Sequence, residues 1–577
     1  MPVLLIALLL ALPAAAQQQN ESPAPPPQQA AEQTTPQQQA AALDEIIDRI
    51  IAGEQATVDD LRNYSPLIEA YVQETRPDVD LGSAPRRDHY FLGKAMLAQG
   101  VVYSRMDKNT AGFWRRAIGA VNVFSRETEF RPTGFLQMIY VDPYNFNRET
   151  YEFDYVRREF VGEVRCLVFD VKPVKDAPRG SFLGRIWAED QGFRIVRFNG
   201  VYTGSRINSP FFHMDSWRIN VAPGKWLPAF IYSEESEGQM RWYHGAKANF
   251  RAQIRLWGYN LTDASKETEF SQLLIEAGNP VVDQSETSPD RSPLEAQRLW
   301  YRQAEDNVLE RLTTAGLLSP AGDVDKVLTT VLNNLLVTNE LYIEPELRAR
   351  VLLTSRLEAF TIGHTIVISR GLVDVLPDEP SLAAVLAQQL GHIVSGHPLD
   401  SDYAFSDRFI FPDEQTLKRI HFERSEEELA QAGAKGFELV QNSPYKNQLG
   451  KAGLFFAALN HRAEELPGII HPNLGNGVIL QQELLAAAPA LEMANKEQIS
   501  ALPLGSRVKV DLWTSQAALM QAKPVSLLSA REKMPFELAP FMPYLTRYRQ
   551  SAFLDPSAQP GAHGQPRPVR SASKPPQ

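Results

Sequence analysis

The amino-acid sequence predicts an α+β protein in which an antiparallel, curved β-sheet domain is followed by a mostly helical domain. From about residue 121 to residue 261, apolar and polar side chains alternate, and short turn segments separate the alternating runs. From about residue 294 to residue 548, apolar residues recur at three- and four-residue spacing, which is typical of helices. A polar, proline-containing segment at 278–293 lies between the two patterns and indicates a domain boundary.

The composition excludes several classes of protein. The chain has 577 residues, of which 44% are hydrophobic and 22% charged, so it is globular and long enough for about two to four domains. Its net charge of -11, from 69 acidic and 58 basic residues, gives no overall basic field that would hold nucleic acid. The single cysteine, Cys166, excludes an intramolecular disulfide, a cysteine-based zinc finger and an iron–sulfur cluster.

The N-terminal segment has the pattern of a secretory signal peptide. Ten apolar residues, Val3 to Leu12, precede Pro13 and the small residues Ala14 to Ala16. This run is shorter than the roughly 20 apolar residues that span a bilayer, and the alternative is a buried N-terminal helix. We therefore expect a periplasmic or secreted protein of the bacterial cell envelope, without a transmembrane segment.

The expected domain boundaries follow from these patterns and from two polar tracts. A Gln/Pro/Ala tract after the signal and a proline-rich tract at the other end have too few large apolar residues to form a core, so we expect both to be disordered. The expected organisation is a signal peptide at 1–16, a linker at 17–41, a helical lead-in and β domain at 42–277, a linker at 278–293, a helical domain at 294–555 and a tail at 556–577.

Several elements of the β domain can be assigned in order. The lead-in is expected to be helical from about Leu43 to Tyr103, because it opens with apolar residues at three- and four-residue spacing. Val164 to Val171 predicts a strand, and residues 184–198 predict a hairpin that turns at Glu189 to Gly192. A second hairpin is predicted around Ala222 to Lys225. Consecutive hairpins with short turns indicate an antiparallel, strongly curved sheet.

The helical domain contains five long periodic runs and one short predicted strand. The runs cover 295–312, 324–339, 382–394, 426–441 and 446–459. The strand is Thr365-Ile366-Val367-Ile368-Ser369, which precedes the third run.

The segment from Glu358 to His397 resembles the active-site region of metallopeptidase family 48, the HtpX/BepA-like zinc endopeptidases. That family has a strand N-A-F-A…I-x-V-x-x-G-L-L before a helix L-A-A-V-L-A-H-E-L-G-H. This chain reads E-A-F-T…I-V-I-S-R-G-L-V and then L-A-A-V-L-A-Q-Q-L-G-H. The resemblance is dense over about 40 residues and looser over 290–480. It implies a zincin-like (gluzincin-type) fold for the helical domain.

The chemical residues of the family motif are not retained. In an HExxH helix, two histidines four residues apart bind zinc and the glutamate between them activates the metal-bound water. This chain reads Gln388-Gln389-Leu390-Gly391-His392, so Gln388 stands at the first histidine, Gln389 at the general base, and only His392 remains. Because an amide cannot accept that proton, we expect no catalytic residue, no bound metal and no cofactor here.

The later family positions also differ. Leu429 stands where the family has its third ligand, a glutamate, although a register slip of one residue would offer Glu428. His471 is kept near the end of the domain, but Gly477 replaces an arginine. The resemblance thus implies a vestigial pocket formed by Gln388, Gln389, His392 and His471.

Two other interpretations of these histidines remain open. His392 and His397 can be two histidines in the last turn of a buried helix, where they favour the carbonyl end. A rearranged zinc site is the alternative, built from His392, His471 and either His364 or Glu428.

The β region has a weaker similarity to the open half-barrels of the LolA/LppX and MucB type, which carry lipids or lipoproteins. Its aromatic residues could line an apolar cavity, or they could form the ordinary inner face of the sheet. They are Trp187, Phe198, Tyr202, Trp217, Trp226, Trp242 and Trp257.

Three hypotheses for the function follow. The first is a catalytically inactive homologue of a zinc metalloendopeptidase that acts as a binding, scaffold or chaperone-like protein for polypeptide clients in the envelope. In this hypothesis the strand Thr365–Ser369 could hold an extended client by edge pairing. The second is an active zinc-dependent endopeptidase with a rearranged metal site. The third is a lipid or lipoprotein carrier that works through the β domain.

Overall fold

The computed structural model describes most of both predicted domains. The described residues are 36–78, 82–98, 102–106, 132–203, 212–235, 250–260, 292–397, 422–478, 486, 507–520 and 538–548. The expected signal peptide (1–16) and tail (556–577) lie outside them, as do most of the expected linkers at 17–41 and 278–293. No helix within the described ranges is long and apolar enough to cross a bilayer.

A large antiparallel sheet dominates the N-terminal half. Its strands are β1 Leu67–Asp78, β2 Gly82–Met96, β3 Val102–Arg105, β4 Tyr151–Val161, β5 Val164–Pro173, β6 Phe182–Glu189, β7 Ile195–Tyr202, β8 His213–Ala222, β9 Lys225–Glu235 and β10 Phe250–Trp257. In the described part of the chain they form one open sheet in the order β3-β2-β1-β10-β9-β8-β7-β6-β5-β4. The predicted strand at Val164 to Val171 and both predicted hairpins are confirmed; the second turns at Gly224, whose φ is +68°. The prediction of an antiparallel sheet followed by helices is therefore confirmed.

The helical lead-in ends earlier than expected. Helix α1 covers Pro36–Leu61, and the chain then enters β1, β2 and β3, so the helix prediction for Leu43 to Tyr103 is wrong beyond Leu61. The reason is tertiary: β1 pairs with β2 on one side and with β10 on the other, and the second pairing is too distant in sequence to appear in a local pattern. The helix also starts inside the expected 17–41 linker, because glutamine and alanine are good helix formers.

A buried ion pair fixes one face of the sheet to the second half of α1. Arg218 of β8 donates to both carboxylate oxygens of Glu54, at 2.6 and 2.7 Å. The same guanidinium donates to the carbonyl oxygens of Ile139 and Ile195, each at 3.2 Å. A buried charge is tolerated only when it is paired and hydrogen-bonded, so this network anchors the second half of α1 to β8.

The C-terminal part is mostly helical and contains a small mixed sheet. Its helices are α3 Pro293–Thr314, α4 Asp323–Thr338, α5 Arg370–Val375, α6 Glu379–Val394, α7 Glu426–Gln441, α8 Leu449–Arg462 and α9 Pro467–Ile470, whereas α2 Pro132–Leu136 precedes β4. Its strands are β11 Arg348–Leu352, β12 Glu358–Ile362, β13 Thr365–Ser369 and β14 Asn476–Gly477, with a separate pair β15 Val508–Val510 and β16 Ala517–Leu519. The described strands of the mixed sheet run in the order β11-β13-β12-β14. All five predicted helical runs are confirmed.

The second face of the large sheet carries the contacts to the helical part. Glu69 of β1 accepts hydrogen bonds from Arg370 and Ser355, and Asp88 of β2 accepts from the backbone N–H groups of Gly468 (2.6 Å) and Ile469 (2.9 Å). Carboxylates that accept backbone N–H groups make strong, oriented hydrogen bonds. These contacts hold the start of α5 and the whole of α9 against the sheet.

The segment 538–548 also lies across this face of the sheet. The N–H of Leu538 donates to Gln73 Oε1 (2.9 Å), and the N–H of Glu163 donates to the carbonyl of Leu545 (2.8 Å). Arg547 donates to Glu189 Oε2 at 2.9 Å. This extended segment falls within the range expected to be the helical domain, yet it packs on the β domain.

Candidate functional site

Helix α6 carries the positions that correspond to the zinc-binding motif, and its two ends are well defined. It begins after Asp378, whose Oδ1 accepts the N–H (3.0 Å) and the hydroxyl (2.6 Å) of Ser381, as expected of an N-cap aspartate. It ends where Gly396 takes a left-handed conformation (φ +72°) and the N–H of His397 donates to the carbonyl of His392 (3.1 Å).

The three motif side chains are buried. Gln388, Gln389 and His392 are 2%, 6% and 2% exposed, respectively. These three polar side chains are therefore part of the packed interior, where polar groups are normally hydrogen-bonded. The burial of this helix agrees with one of the interpretations that the sequence left open, in which His392 lies in the last turn of a buried helix.

Helices α6 and α7 touch backbone to backbone. A Cβ atom added to Gly391 would lie 2.3 Å from the carbonyl oxygen of Ala432. A Cβ atom added to Gly436 would lie 2.9 Å from the backbone of Ala387. Only glycine fits at such distances, so the packing of these two helices depends on both glycines.

The structure brings His392 and His397 together. Their Nδ1 atoms lie 2.9 Å apart, and the two rings meet edge to face with centroids 5.1 Å apart. His397 Nε2 lies 3.3 Å from the Oε1 atom of Gln431 on α7. The residues are five apart and so cannot share a regular helical face, but the left-handed turn at Gly396 folds His397 back over the last turn. The sequence did not predict this pair. The available signal was Gly396 before His397, because a glycine at the end of a helix can take the left-handed conformation that reverses the chain.

Electrostatics keeps His392 neutral. Burial, the Arg424 charge and the His397 charge together lower the pKa of His392 to about 4, against a small opposing effect of Glu428. A hydrogen bond between the two Nδ1 atoms requires that one ring carries a proton on Nδ1 and donates it, while the other ring accepts. The Nδ1 atoms of both histidines are thus engaged with each other.

The two candidates for the third metal ligand have structural roles in α7. Leu429 is a buried apolar residue. Glu428 completes a capping box, in which its Oε2 accepts the N–H of Ser425 (3.0 Å) and Ser425 Oγ accepts the N–H of Glu428 (3.2 Å). The backbone hydrogen bond from Ser425 is the main cause that lowers the pKa of Glu428.

The remaining candidate histidines have other neighbours. His471 is exposed after α9, where partial burial of its ring and the nearby Arg356 charge lower its pKa. His364, in the turn between β12 and β13, places Nδ1 3.0 Å from Glu305 Oε1. Among the described residues, no group of three or more His, Cys, Asp or Glu side chains is placed to hold a metal ion.

A zinc ion does not fit the donor set at the end of α6. Zinc sites in proteins use imidazole, thiolate or carboxylate ligands, and the corresponding positions here provide the amide of Gln388, the imidazole of His392 and the aliphatic Leu429. The residues therefore disagree with the metal that the family motif implies.

The strand expected to pair with a client is not an edge strand. β13 pairs in parallel with β11 over Thr365 to Ser369 and antiparallel with β12 over Thr365 to Ile368. All five of its residues (Thr365, Ile366, Val367, Ile368 and Ser369) are buried. The expectation of a peptide-binding edge at these residues is wrong, because the pairing with β11 uses the side that a client would need.

A second buried feature near the motif helix was not predicted. Glu358 Oε2 accepts the backbone N–H groups of Asn473 (2.9 Å) and Leu474 (2.8 Å), so it holds the loop that follows His471. In the family strand pattern N-A-F-A, Glu358 stands at the asparagine position. That difference was the available sequence signal.

The aromatic residues of the sheet are divided between several surroundings. Trp187 and Trp217 stack on the two sides of Arg197, at 4.4 and 4.3 Å from its guanidinium carbon. Tyr202 and Trp257 each line a cavity, of about 620 and 340 Å³ respectively. Trp242 lies outside the described residues. The set does not form one common cavity.

Comparison with known proteins finds one family model and several solved structures that are similar to this chain. The family model described as peptidase family M48 matches residues 324–411, which include β11, β12, β13 and α6. This match confirms the resemblance to metallopeptidase family 48 over that segment. No curated protein matches the chain.

Among solved structures, the chain is similar to the crystal structure of a DUF1329 family protein from Desulfovibrio piger. The identity is 10%, and the match covers 40% of this chain and 98% of that chain. The TM-score is 0.18. A TM-score this low supports no conclusion about fold or function.

Proposed function

We propose that this protein is a non-catalytic relative of the family-48 zinc endopeptidases, and that it acts in the bacterial cell envelope as a binding, scaffold or chaperone-like protein. The observation that carries the proposal is the set of residues on α6 and α7: the helix packing of the motif is present, but its metal ligands and general base are not. Periplasmic location rests on the signal-like sequence Val3 to Ala16.

The chemistry supports the loss of peptidase activity. Hydrolysis by this class of enzyme needs a metal-activated water and a carboxylate that takes its proton. Gln389 has no carboxylate, and removal of a general base costs a factor of about 10²–10⁴ in rate. Gln388 and Leu429 remove two of the three metal ligands as well, so the losses affect the same step.

The scaffold around the motif supports a remaining structural role. Gly391 and Gly436 keep the close contact of α6 with α7, and Glu358 keeps the loop after His471 in place. We infer that the fold is used for binding.

We place client binding on β4, because β13 is enclosed. β4 is the last strand in the described sheet order, with β5 as its partner there. An extended polypeptide can add to such an edge through backbone hydrogen bonds. Phe160 and Tyr155 of β4 are 70% and 43% exposed, which offers apolar contacts to the side chains of a client.

The test combines binding with cleavage. The purified full chain should bind an unfolded outer-membrane protein in a pull-down and leave it intact over hours, with or without chelator. Hydrogen exchange should slow at the β4 amides when the client is added. Client cleavage that stops with chelator and with His392→Ala would contradict the proposal, and would favour the rearranged zinc endopeptidase. Binding without protection of β4 would contradict the placement of the client.

A lipid or lipoprotein carrier is the second candidate, and one observation favours it. The cavity of about 340 Å³ beside Trp257 lies on the face of the sheet that contacts the helical part. Its walls come from both parts of the chain, so an isolated β domain would not retain it. The full chain is therefore the form in which a bound lipid should be sought.

A further inference from the structure

The cavity beside Trp257 has mostly apolar walls from four parts of the chain. They are the sheet, the residues Leu353 and Arg370, the region of β15 and β16, and the extended segment 538–548. The lining side chains include Phe230, Trp257, Leu353, Val508, Phe541 and Leu545. Phe541 packs edge to face on Phe230, with ring centroids 5.2 Å apart, so the segment 538–548 covers the cavity directly.

An arginine side chain faces this cavity. Arg255 of β10 lines it, and the buried Nε atom of Arg255 has no hydrogen-bond partner among the described residues. Its cross-strand neighbours are Glu69 on β1 and Phe230 on β9. The guanidinium carbon lies 5.7 Å from the centre of the Phe230 ring, so the charge lies beside an apolar wall.

The nearby carboxylates of Glu69 and Asp374 accept hydrogen bonds from other groups. Glu69 accepts from Arg370 Nη2 (2.9 Å), from Tyr90 (2.6 Å) and from Ser355. Asp374 accepts the backbone N–H of Val508 at 2.8 Å. No ion pair within 4.0 Å links Arg255 to a carboxylate in the part of the chain that the structure describes.

The surroundings of Arg255 oppose its charge. Burial, together with the positive charge of Arg370, lowers the pKa of Arg255 to about 9, while Asp374 and Glu69 act in the opposite sense. An unpaired charge beside apolar walls is unfavourable, and an anion that enters the cavity would relieve this cost. A carboxylate also matches the planar donor geometry of a guanidinium.

We propose that this cavity binds a single-chain anionic amphiphile, namely a long-chain fatty acid. Its carboxylate would accept hydrogen bonds from Arg255, and its acyl chain would lie along Trp257, Phe230 and Phe541. The volume of about 340 Å³ is at the lower end of the range for ligand cavities, about 300–1,000 Å³. It therefore suits one acyl chain better than a two-chain phospholipid. This inference does not depend on whether the family-48 motif is catalytically active.

The experiment uses the full chain after removal of bound lipid on a hydrophobic resin. Palmitate, hexadecanol and vesicles of phosphatidylglycerol are compared as competitors of a fluorescent fatty acid. The wild type should bind palmitate at a ratio of about one per chain, and hexadecanol at least about tenfold more weakly, because it cannot form a charge-assisted hydrogen bond. Arg255→Met should weaken palmitate binding about tenfold and leave hexadecanol binding unchanged.

Two further variants make the result decisive. Arg185→Met removes a partly exposed arginine that is paired with Asp170 (2.7 Å) on the same sheet, and it should leave palmitate binding unchanged. Val508→Phe narrows the cavity and should weaken both palmitate and hexadecanol, provided that the thermal transition shows a folded protein. The proposal would be overturned if the wild type and Arg255→Met bound palmitate with equal affinity, or if the wild type bound palmitate and hexadecanol with equal affinity. Binding of phosphatidylglycerol alone, or of none of the three, would overturn it as well.

Discussion

Glu69 of β1 and Arg370 of α5 form a buried ion pair, with Glu69 Oε2 2.9 Å from Arg370 Nη2 and side chains that are 2% and 1% exposed. This pair joins the large sheet to the segment that follows β13, just before the motif helix α6. Arg370 also donates from Nε to the carbonyl of Leu353 (3.0 Å), and Leu353 lines the cavity beside Arg255. One buried interaction thus positions both the helix that carries the motif positions and the proposed lipid cavity.

Removal of one partner of this pair should be strongly destabilising. Glu69→Gln leaves the buried Arg370 without a counter-charge, which typically costs about 3–5 kcal/mol in the free energy of unfolding. Urea denaturation of the full chain measures the change. Asp323→Asn is the control, because it breaks the exposed pair Asp323–Lys326 and should leave the unfolding midpoint unchanged. Equal effects of the two substitutions would contradict the role given to Glu69.

The contact between α6 and α7 predicts a specific intolerance to a methyl group. Gly391→Ala places Cβ at 2.3 Å from the carbonyl oxygen of Ala432, so the helices must move apart, at a cost of about 1–3 kcal/mol or more. Gly134→Ala is the matched control in α2, because its added Cβ has no atom within 4 Å. A thermal melt of both variants should show a lower midpoint for Gly391→Ala only. If Gly391→Ala melts like the wild type, the backbone contact does not determine the packing.

The burial of Asp88 predicts that the free energy of unfolding depends on pH. Burial raises the pKa of Asp88 to about 6, although hydrogen bonds from Gly468, Tyr71 and Ile469 oppose this shift. Because the folded-state pKa is above the ordinary value of about 4, the stabilising contribution of Asp88 is complete below pH 4 and is lost as pH rises through 6. Relative to Asp88→Asn, the free energy of unfolding of the wild type should therefore fall by about 2–3 kcal/mol between pH 4 and pH 7, at about 1.36 kcal/mol per pKa unit.

Urea denaturation of both proteins at several pH values between 4 and 7 measures this difference. The comparison with Asp88→Asn removes the contribution of other carboxyl groups, which titrate in both proteins. A constant difference between the two proteins across this range would show that Asp88 has an ordinary pKa in the folded state.

The neutral histidine at the end of α6 can be observed directly. A titration followed by nitrogen-detected NMR should give a pKa of about 4 for His392. Since this value is below the ordinary one, the contribution of His392 to stability is present above about pH 6.5 and is lost as pH falls through 4. Arg424→Gln should raise the pKa of His392, because the Arg424 charge is the second cause of the shift, whereas Arg165→Gln should leave it unchanged. A pKa near 6.5 in the wild type would show that His392 is exposed to solvent.

Local patterns were sufficient for much of the fold. The hairpin between β8 and β9 depends on the short Pro-Gly turn at Gly224, and the hairpin between β6 and β7 on alternation within 184–198, so both could be predicted. The strand β1 could not, because its residues are compatible with a helix and its pairing with β10 joins segments that are far apart in sequence. For the same reason the sequence could not show that β11 would enclose Thr365 to Ser369.

In the candidate site, too, some features could be predicted from local sequence and others depend on tertiary structure. The identities of Gln388 and Gln389 are read directly from the motif, and Leu429 from its preferred register, so the proposed loss of ligands rests on the sequence alone. The contact of His392 with His397 was not, because it depends on the left-handed conformation of Gly396. Arg255 gave no sequence signal, because the absence of a partner for its Nε atom among the described residues depends on how Glu69 of β1 and Arg370 of α5 pair with each other.

The most direct test of the central claim is the zinc content of the full chain, purified without chelator and without a nickel affinity step. Elemental analysis should give a ratio of zinc to chain near zero for the wild type and for His392→Ala alike, because the donor set on α6 and α7 lacks two ligands. A ratio near one in the wild type that is lost in His392→Ala would contradict the account, and would show that these residues build a metal site.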